Sequence, residues 1–265
     1  MIEKKIAIIG CGNLGLSILN GLLNIQGIKA SNITVTKRDI NTLGHLLKTG
    51  INITTDNVKA ISESEIIIVA LKPYNISTVL KELSSSFKKE KHILVSLATG
   101  ISIEELEKNV NPSIPIFRAM PNTAADVSTA MTCISSNSQD DKTIKLVKQC
   151  FDSIGNTIII NEILMDAATV LGACGIAYVL RFIRAMVQGG IQIGFDSKTA
   201  SEIVNQTVKG AAELLIERNE HPEFEIDKVT TPKGCTITGL NEMEHNGFSS
   251  ALIKGIVASF DAIEK

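Results

Sequence analysis

Ile6-Ala7-Ile8-Ile9-Gly10-Cys11-Gly12-Asn13-Leu14-Gly15 is a short apolar run that breaks into three spaced glycines. Such a run reads as a strand buried on both faces, and the residues from Asn13 to Asn24 read as the helix after it. Each glycine between them has a physical reason. Gly10 permits the tight turn, Gly12 lets the backbone approach a pyrophosphate, and Gly15 allows close packing of helix on strand. A phosphate would then sit on the helix N-terminus, where unpaired N–H groups and the dipole favour anions. Gly10, Cys11, Gly12, Asn13, Leu14 and Gly15 therefore form the candidate cofactor cradle, and the segment opens a Rossmann domain.

Outward from this loop, short β-branched runs alternate with helix-like stretches. Strands are expected at Lys5–Ile9, Ile33–Thr36, Ile51–Thr54, Glu65–Leu71, His92–Leu97 and Pro115–Arg118. Helices are expected at Asn13–Asn24, Ile40–Lys48, Ile76–Phe87 and Ile103–Asn109, the last opened by a Ser102/Glu105 capping box. From Glu162 on, apolar residues recur at helical spacing, giving long helices over Glu162–Gln188, Ser197–Arg218 and Gly247–Ile263. The fold class is thus α/β, an N-terminal doubly wound parallel sheet over residues 1–160 followed by an all-helical dimerisation domain over residues 161–265. A few long apolar helices have little of their own chain to bury against, so a homodimer, with room for a larger homo-oligomer, is expected.

The second strand normally ends in an acidic residue when the cofactor is NAD. Here it ends Thr36-Lys37-Arg38. Two cations and a hydroxyl suit a 2′-phosphate, which makes Lys37 and Arg38 cofactor residues and NADPH the preferred cofactor. Asp39 is the rival feature: a strand ending one or two residues later would give it the NAD role, so NADH stays open.

Composition narrows the partners. A formal charge of −2 gives no field for nucleic acid. The longest uncharged apolar stretch, Ala167–Leu180, is shorter than the roughly 20 residues of a spanning helix, so no membrane is expected. Glu3, Lys4 and Lys5 precede a run, Ile6–Ile9, that ends in glycines rather than continuing as a signal-peptide core, so a cytoplasmic location is expected, and five cysteines without paired spacing read as reduced thiols. His45, His92, His221 and His245 stand singly, and no metal site is expected.

Three further segments fit packing alone poorly. Ala70-Leu71-Lys72-Pro73 and Met120-Pro121-Asn122-Thr123 follow strands at the carboxyl edge of the sheet, where open α/β folds hold ligands. Val229-Thr230-Thr231-Pro232-Lys233-Gly234-Cys235-Thr236-Ile237-Thr238-Gly239-Leu240 sets small residues and hydroxyls before a helix, either as a carboxylate cradle or as a capping loop. Together with the glycine loop, Gln206-Thr207-Val208-Lys209-Gly210 and the stretch through Gly247-Phe248, these segments resemble the pyrroline-5-carboxylate reductase family, in order along nearly the whole chain.

The resemblance implies that Asn57, Ala70, Leu71, Lys72 and Ala98 line the cofactor, with Pro73, Met120, Pro121 and Asn122 at the same edge. It implies that Gly234, Cys235 and Thr236 hold a cyclic imino acid by its carboxylate, Thr236 near the ring nitrogen and Glu162 nearby. It also implies a helical domain that interlocks with a second subunit. A protonated cyclic imine is already electrophilic, so orientation by the protein suffices and no strong general acid is needed. Thr236 is accordingly the one catalytic residue, a hydrogen-bonding group rather than a formal acid.

Two departures stand out. Ala124 replaces the family's proline after Met-Pro-Asn-Thr, and Ile176 replaces the proline in Ala173-Cys174-Gly175-Ile176-Ala177-Tyr178, which should straighten the helix. Two other readings compete. A 3-hydroxyacid dehydrogenase of similar build would want a lysine on the long helix, but Asp166–Gln188 offers only Arg181 and Arg184 as cations. A non-catalytic NADP(H) sensor would read the departures as lost activity, against which intact Thr236 argues.

Overall fold

The computed structural model describes residues 3–110 and 113–263. The chain divides into two compact units, the first running to Cys174 and taking in Ile263, the second Gly175–Ala262.

In the first unit the chain runs β1 (Ile6–Ile9), α1 (Asn13–Asn24), β2 (Ile33–Thr36), β3 (Asn52–Thr54), α2 (Asn57–Ser62), β4 (Ile66–Val69), α3 (Pro73–Leu83), β5 (Ile93–Ser96), α4 (Ile103–Glu107) and β6 (Ile116–Met120). β7 (Ala130–Ser136), α5 (Asp141–Asp152) and β8 (Gly155–Ile159) follow. The sheet has eight strands in the order β3-β2-β1-β4-β5-β6-β7-β8, parallel except where β7 runs antiparallel to β6. Alternation along the strands explains their unbroken apolar character. Ile6, Ile8, Ile66 and Ile68 enter one core, with Ile18, Leu19 and Leu22 of α1. Ala7, Ile9, Ile67 and Val69 enter the other, with Ile76 and Leu80 of α3.

The chain steps outward from β1 to β3 and then returns to place β4 beside β1. That reversal opens a crevice at the carboxyl ends of β1 and β4, the place where a doubly wound sheet receives its ligand.

Several expectations are corrected. The stretch from Ile40 to Thr49 is a succession of 3₁₀ turns rather than an α-helix, opened by the Asp39 side chain, which accepts from the Asn41 N–H at 3.1 Å. α3 begins at Pro73, because proline at the first helical position has the right φ and no N–H to leave unpaired. β6 runs on to Met120 and carries Arg118 in its interior. β7, β8 and α5 add to the expected elements, and for the two strands the reason is chemical. Thr132, Ser135 and Thr157 occupy buried strand positions where an apolar residue is the usual signal.

Before the division at Cys174 comes α6 (Met165–Ala168), and the residues Thr169–Cys174 form a π-helical stretch. The uniform helix expected from Glu162 is therefore a 3₁₀ turn, α6 and a π-helical stretch ahead of α7. The second unit holds α7 (Gly175–Gln192), α8 (Ser197–Arg218), α9 (Pro222–Val229), α10 (Cys235–His245) and α11 (Phe248–Ile263). Val187, Ala200 and Val204 make its small core between α7 and α8, and Tyr178 Oη lies 2.6 Å from Ser259 Oγ. Much apolar surface stays open on these helices, including Leu180, Ile203, Leu252 and Val257. The stretch Glu162–Gln192, with mean hydropathy 1.9 over its most apolar window, is long and apolar enough to cross a membrane by length and composition.

Candidate active site

The carboxyl ends of the parallel strands gather the cofactor residues read from the sequence. Gly10 has φ +92°, and an added Cβ would lie 2.6 Å from Leu71 Cδ2 and 2.9 Å from the Ala70 carbonyl. The loop after β1 is thus pressed against the end of β4, with the Ala70 N–H donating to the Ile9 carbonyl at 2.8 Å. A Cβ on Gly15 would lie 2.8 Å from the Gly10 carbonyl, so close packing of α1 requires glycine there. At Gly12 a Cβ would meet nothing within 4 Å. The protein itself does not need glycine at that point. Gly12 is also the N-cap of α1 and brings no side chain to its first turn. The N–H groups of Asn13, Leu14 and Gly15 have no intrahelical partner there and are left for an anion.

β2 ends at Thr36, so Lys37 and Arg38 follow it directly. Neither forms an ion pair among the described residues. Asp39, the rival for a ribose contact, uses its carboxylate to cap the next 3₁₀ turn. The Thr36 hydroxyl accepts from the Gly10 N–H at 3.3 Å, while its carbonyl accepts from Cys11 N–H at 2.8 Å. Thr36 therefore shapes the glycine loop, a role that the spacing alone did not reveal. Cys11 is buried, and burial pushes its thiol up to about 11 against the partial pull of Lys37, which keeps it protonated and inert at neutral pH.

Asn57 starts α2 behind the Asp56 cap. Lys72 is the exposed N-cap of α3, ahead of Pro73. Ala98 is buried just beyond β5, its N–H donating to Ser96 Oγ at 3.3 Å. Met120 and Pro121 close β6, and Thr99 Oγ1 lies 3.9 Å from Met120 Sδ. Asn122 is 8% exposed and uses both ends of its amide: Oδ1 accepts from the Ala124 N–H at 3.1 Å, and Nδ2 donates to the Gly172 carbonyl at 3.1 Å. The departure at Ala124 thus has a local consequence, because a proline would have no N–H to give.

Glu162 is tied into a network that the sequence reading missed. Its Oε1 accepts from the Ile103 N–H at 2.6 Å and from Arg118 Nη1 at 3.1 Å. Arg118 Nη2 reaches Asp166 Oδ1 at 3.4 Å, and its side chain is 6% exposed. A lone cation inside an otherwise apolar strand was the available signal, since a buried guanidinium requires acidic partners.

Gly234, Cys235 and Thr236 belong to the second unit. Lys233 has φ +59°, the Gly234 N–H donates to the Thr231 carbonyl at 2.9 Å, and a Cβ on Gly234 would lie 2.5 Å from Thr231 Oγ1. The turn delivers the chain into α10 with Gly234 as N-cap and no side chain on the first turn. The Cys235 thiol and Thr236 hydroxyl are exposed there. Among the described residues no cluster of three or more His, Cys, Asp or Glu could hold a metal ion.

A glycine cradle at the switch point of a doubly wound sheet, joined to a helical region, defines a dinucleotide-dependent oxidoreductase. Residues 5–100 match the family model described as NADP oxidoreductase, coenzyme F420-dependent, and residues 162–265 match that described as pyrroline-5-carboxylate reductase dimerisation. The chain belongs to the pyrroline-5-carboxylate reductase family. It is 45% identical to pyrroline-5-carboxylate reductase 1 of Dictyostelium discoideum over 98% of its own length, and spans about half (49%) of that protein. It is 39% identical to pyrroline-5-carboxylate reductase 2 of the same organism, covering 99% of this chain and 93% of that one. The crystal structure of Plasmodium falciparum pyrroline carboxylate reductase with NADP bound is similar at 27% identity and a TM-score of 0.88, over 99% of this chain and 98% of that one.

Proposed function

We propose that the chain reduces Δ1-pyrroline-5-carboxylate to L-proline with NADPH, the last step of proline biosynthesis. The observation that carries this reading is the 39% identity to a pyrroline-5-carboxylate reductase across nearly the full length of both chains. The open space at Gly12 and the uncapped start of α1 fit a pyrophosphate. Lys37 and Arg38, unpaired after β2, fit a 2′-phosphate, with Arg38 supplying the bidentate grip. Bound NADPH supplies the hydride for the C=N carbon. Asn57, Ala70, Leu71, Lys72, Pro73, Ala98, Met120 and Pro121 form the rest of the cofactor edge.

The N–H groups of Cys235 and Thr236, uncapped in the first turn of α10 behind Gly234, cradle the substrate carboxylate. The Thr236 hydroxyl hydrogen-bonds the ring nitrogen, holding the imine in orientation while its proton stays on nitrogen. By the resemblance, Glu162 is also a substrate residue. The exposed apolar sides of α7, α8 and α11 are covered by a second copy of the chain, giving a homodimer able to assemble further. Five cysteines without paired spacing support a cytoplasmic location.

Purified protein mixed with NADPH and pyrroline-5-carboxylate should consume NADPH absorbance; cofactor binding without turnover would favour the sensor reading instead. Thr236→Ala is expected to lower kcat/KM about tenfold, the equivalent of one hydrogen bond or about 1.4 kcal/mol, with NADPH affinity unchanged. An equal loss of both would contradict its role. Arg38→Ala is expected to weaken NADPH about tenfold and NADH little, as removal of a charged phosphate contact should. Titration of both cofactors by fluorescence checks this, and a parallel loss of NADH affinity would count against it.

A further inference from the structure

The buried Asn122 amide joins two segments that no functional assignment so far connects. On one side is the turn after β6, whose Met120 and Pro121 lie at the cofactor edge. On the other is the π-helical stretch Thr169–Cys174. A π stretch shifts backbone hydrogen bonding from the i−4 to the i−5 carbonyl and so needs outside support to persist. Side chains supply it here: Thr169 Oγ1 donates to the Met165 carbonyl at 2.9 Å, and Asn122 Nδ2 donates to the Gly172 carbonyl at 3.1 Å. The amide orientation is unambiguous, because its other end must accept the Ala124 N–H.

We infer that Asn122 is a positioning residue rather than a cofactor contact, its Nδ2–H holding the Gly172 carbonyl and with it the π register of Thr169–Cys174. This rests on the reductase reading for its effect on turnover, but the register itself can be read without any substrate. Each end of the amide is engaged once within the protein, and the residue is more than nine-tenths buried, which keeps its remaining N–H and lone pair from a ligand. Without that donor, the stretch is free to relax toward ordinary α-helical bonding, slipping by one residue between Met165 and Gly175.

Asn122→Asp separates this role from simple capping. Aspartate caps a helical turn as well as asparagine does and keeps the bond from Ala124, but presents an oxygen where Gly172 needs a donor. Amide exchange across Thr169–Cys174 should become about tenfold faster than in the wild type. kcat should fall about tenfold, while NADPH affinity stays within about twofold. Asn122→Ser, which keeps a cap and a neutral side chain but is too short to reach Gly172, should behave likewise and decides the matter if the aspartate variant folds poorly. Wild-type exchange and kcat in both variants would overturn the inference, as would faster exchange with no loss of kcat. A loss of NADPH affinity with unchanged exchange would overturn it too, by making Asn122 a cofactor contact. A wild type without turnover would sink the reductase reading alone, leaving the exchange comparison to judge the register.

Discussion

Gly12→Ala is expected to weaken NADPH binding about 100-fold, or about 2.7 kcal/mol, while leaving the melting temperature unchanged. The added methyl would touch no protein atom within 4 Å, and Gly12 has φ −86°, a value that alanine adopts freely. Its only conflict is with a group brought up against the α1 N-terminus. Gly10→Ala is the contrasting case. There the backbone is left-handed and the methyl would strike both Leu71 and the Ala70 carbonyl. A left-handed non-glycine residue costs about 1–2 kcal/mol and forced overpacking about 1–3 kcal/mol, so about 3 kcal/mol of stability should go together with the binding. Thermal melts beside NADPH titrations separate the two variants. If Gly12→Ala lowered the melting temperature as much as Gly10→Ala, the open space at Gly12 would not be a ligand's space.

That contrast marks how far the sequence could be read. Three glycines announced a turn, but only coordinates show which of them the protein needs and which the ligand needs. β1, β4 and β5 were legible because both faces are buried and every residue but Ser96 is apolar. β7 and β8 were not, since Thr132, Ser135 and Thr157 are buried strand residues that read as loop. The segment from Ile40 to Thr49 has helical spacing of apolar residues, yet Gly44 sits inside it and only Leu43 and Leu46 are buried, too little to hold a regular α-helix. The cofactor edge was visible through place, each strand end supplying its residues. The Asn122 and Arg118 links were not, because both join segments more than 40 residues apart in sequence.

Arg118→Met is expected to destabilise the protein by about 3 kcal/mol, lowering the melting temperature by about 9 °C. Removing one member of a buried ion pair usually costs about 3–5 kcal/mol, because the remaining charge is left without its partner. Here Glu162 and Asp166 keep about a third of their side chains in water (34% and 36% exposed), so the low end of that range applies. The effect should also reach α4, since Glu162 Oε1 accepts the Ile103 N–H as well as the guanidinium. Adding Glu162→Gln and Asp166→Asn to Arg118→Met should recover most of the loss. The glutamine can still accept from Ile103, and with the cation gone neither neutral amide carries an uncompensated charge. If the triple variant melted lower than Arg118→Met alone, the carboxylates would be contributing through partners other than Arg118. If Arg118→Met melted with the wild type, the buried guanidinium would be no anchor between β6 and the start of the helical region.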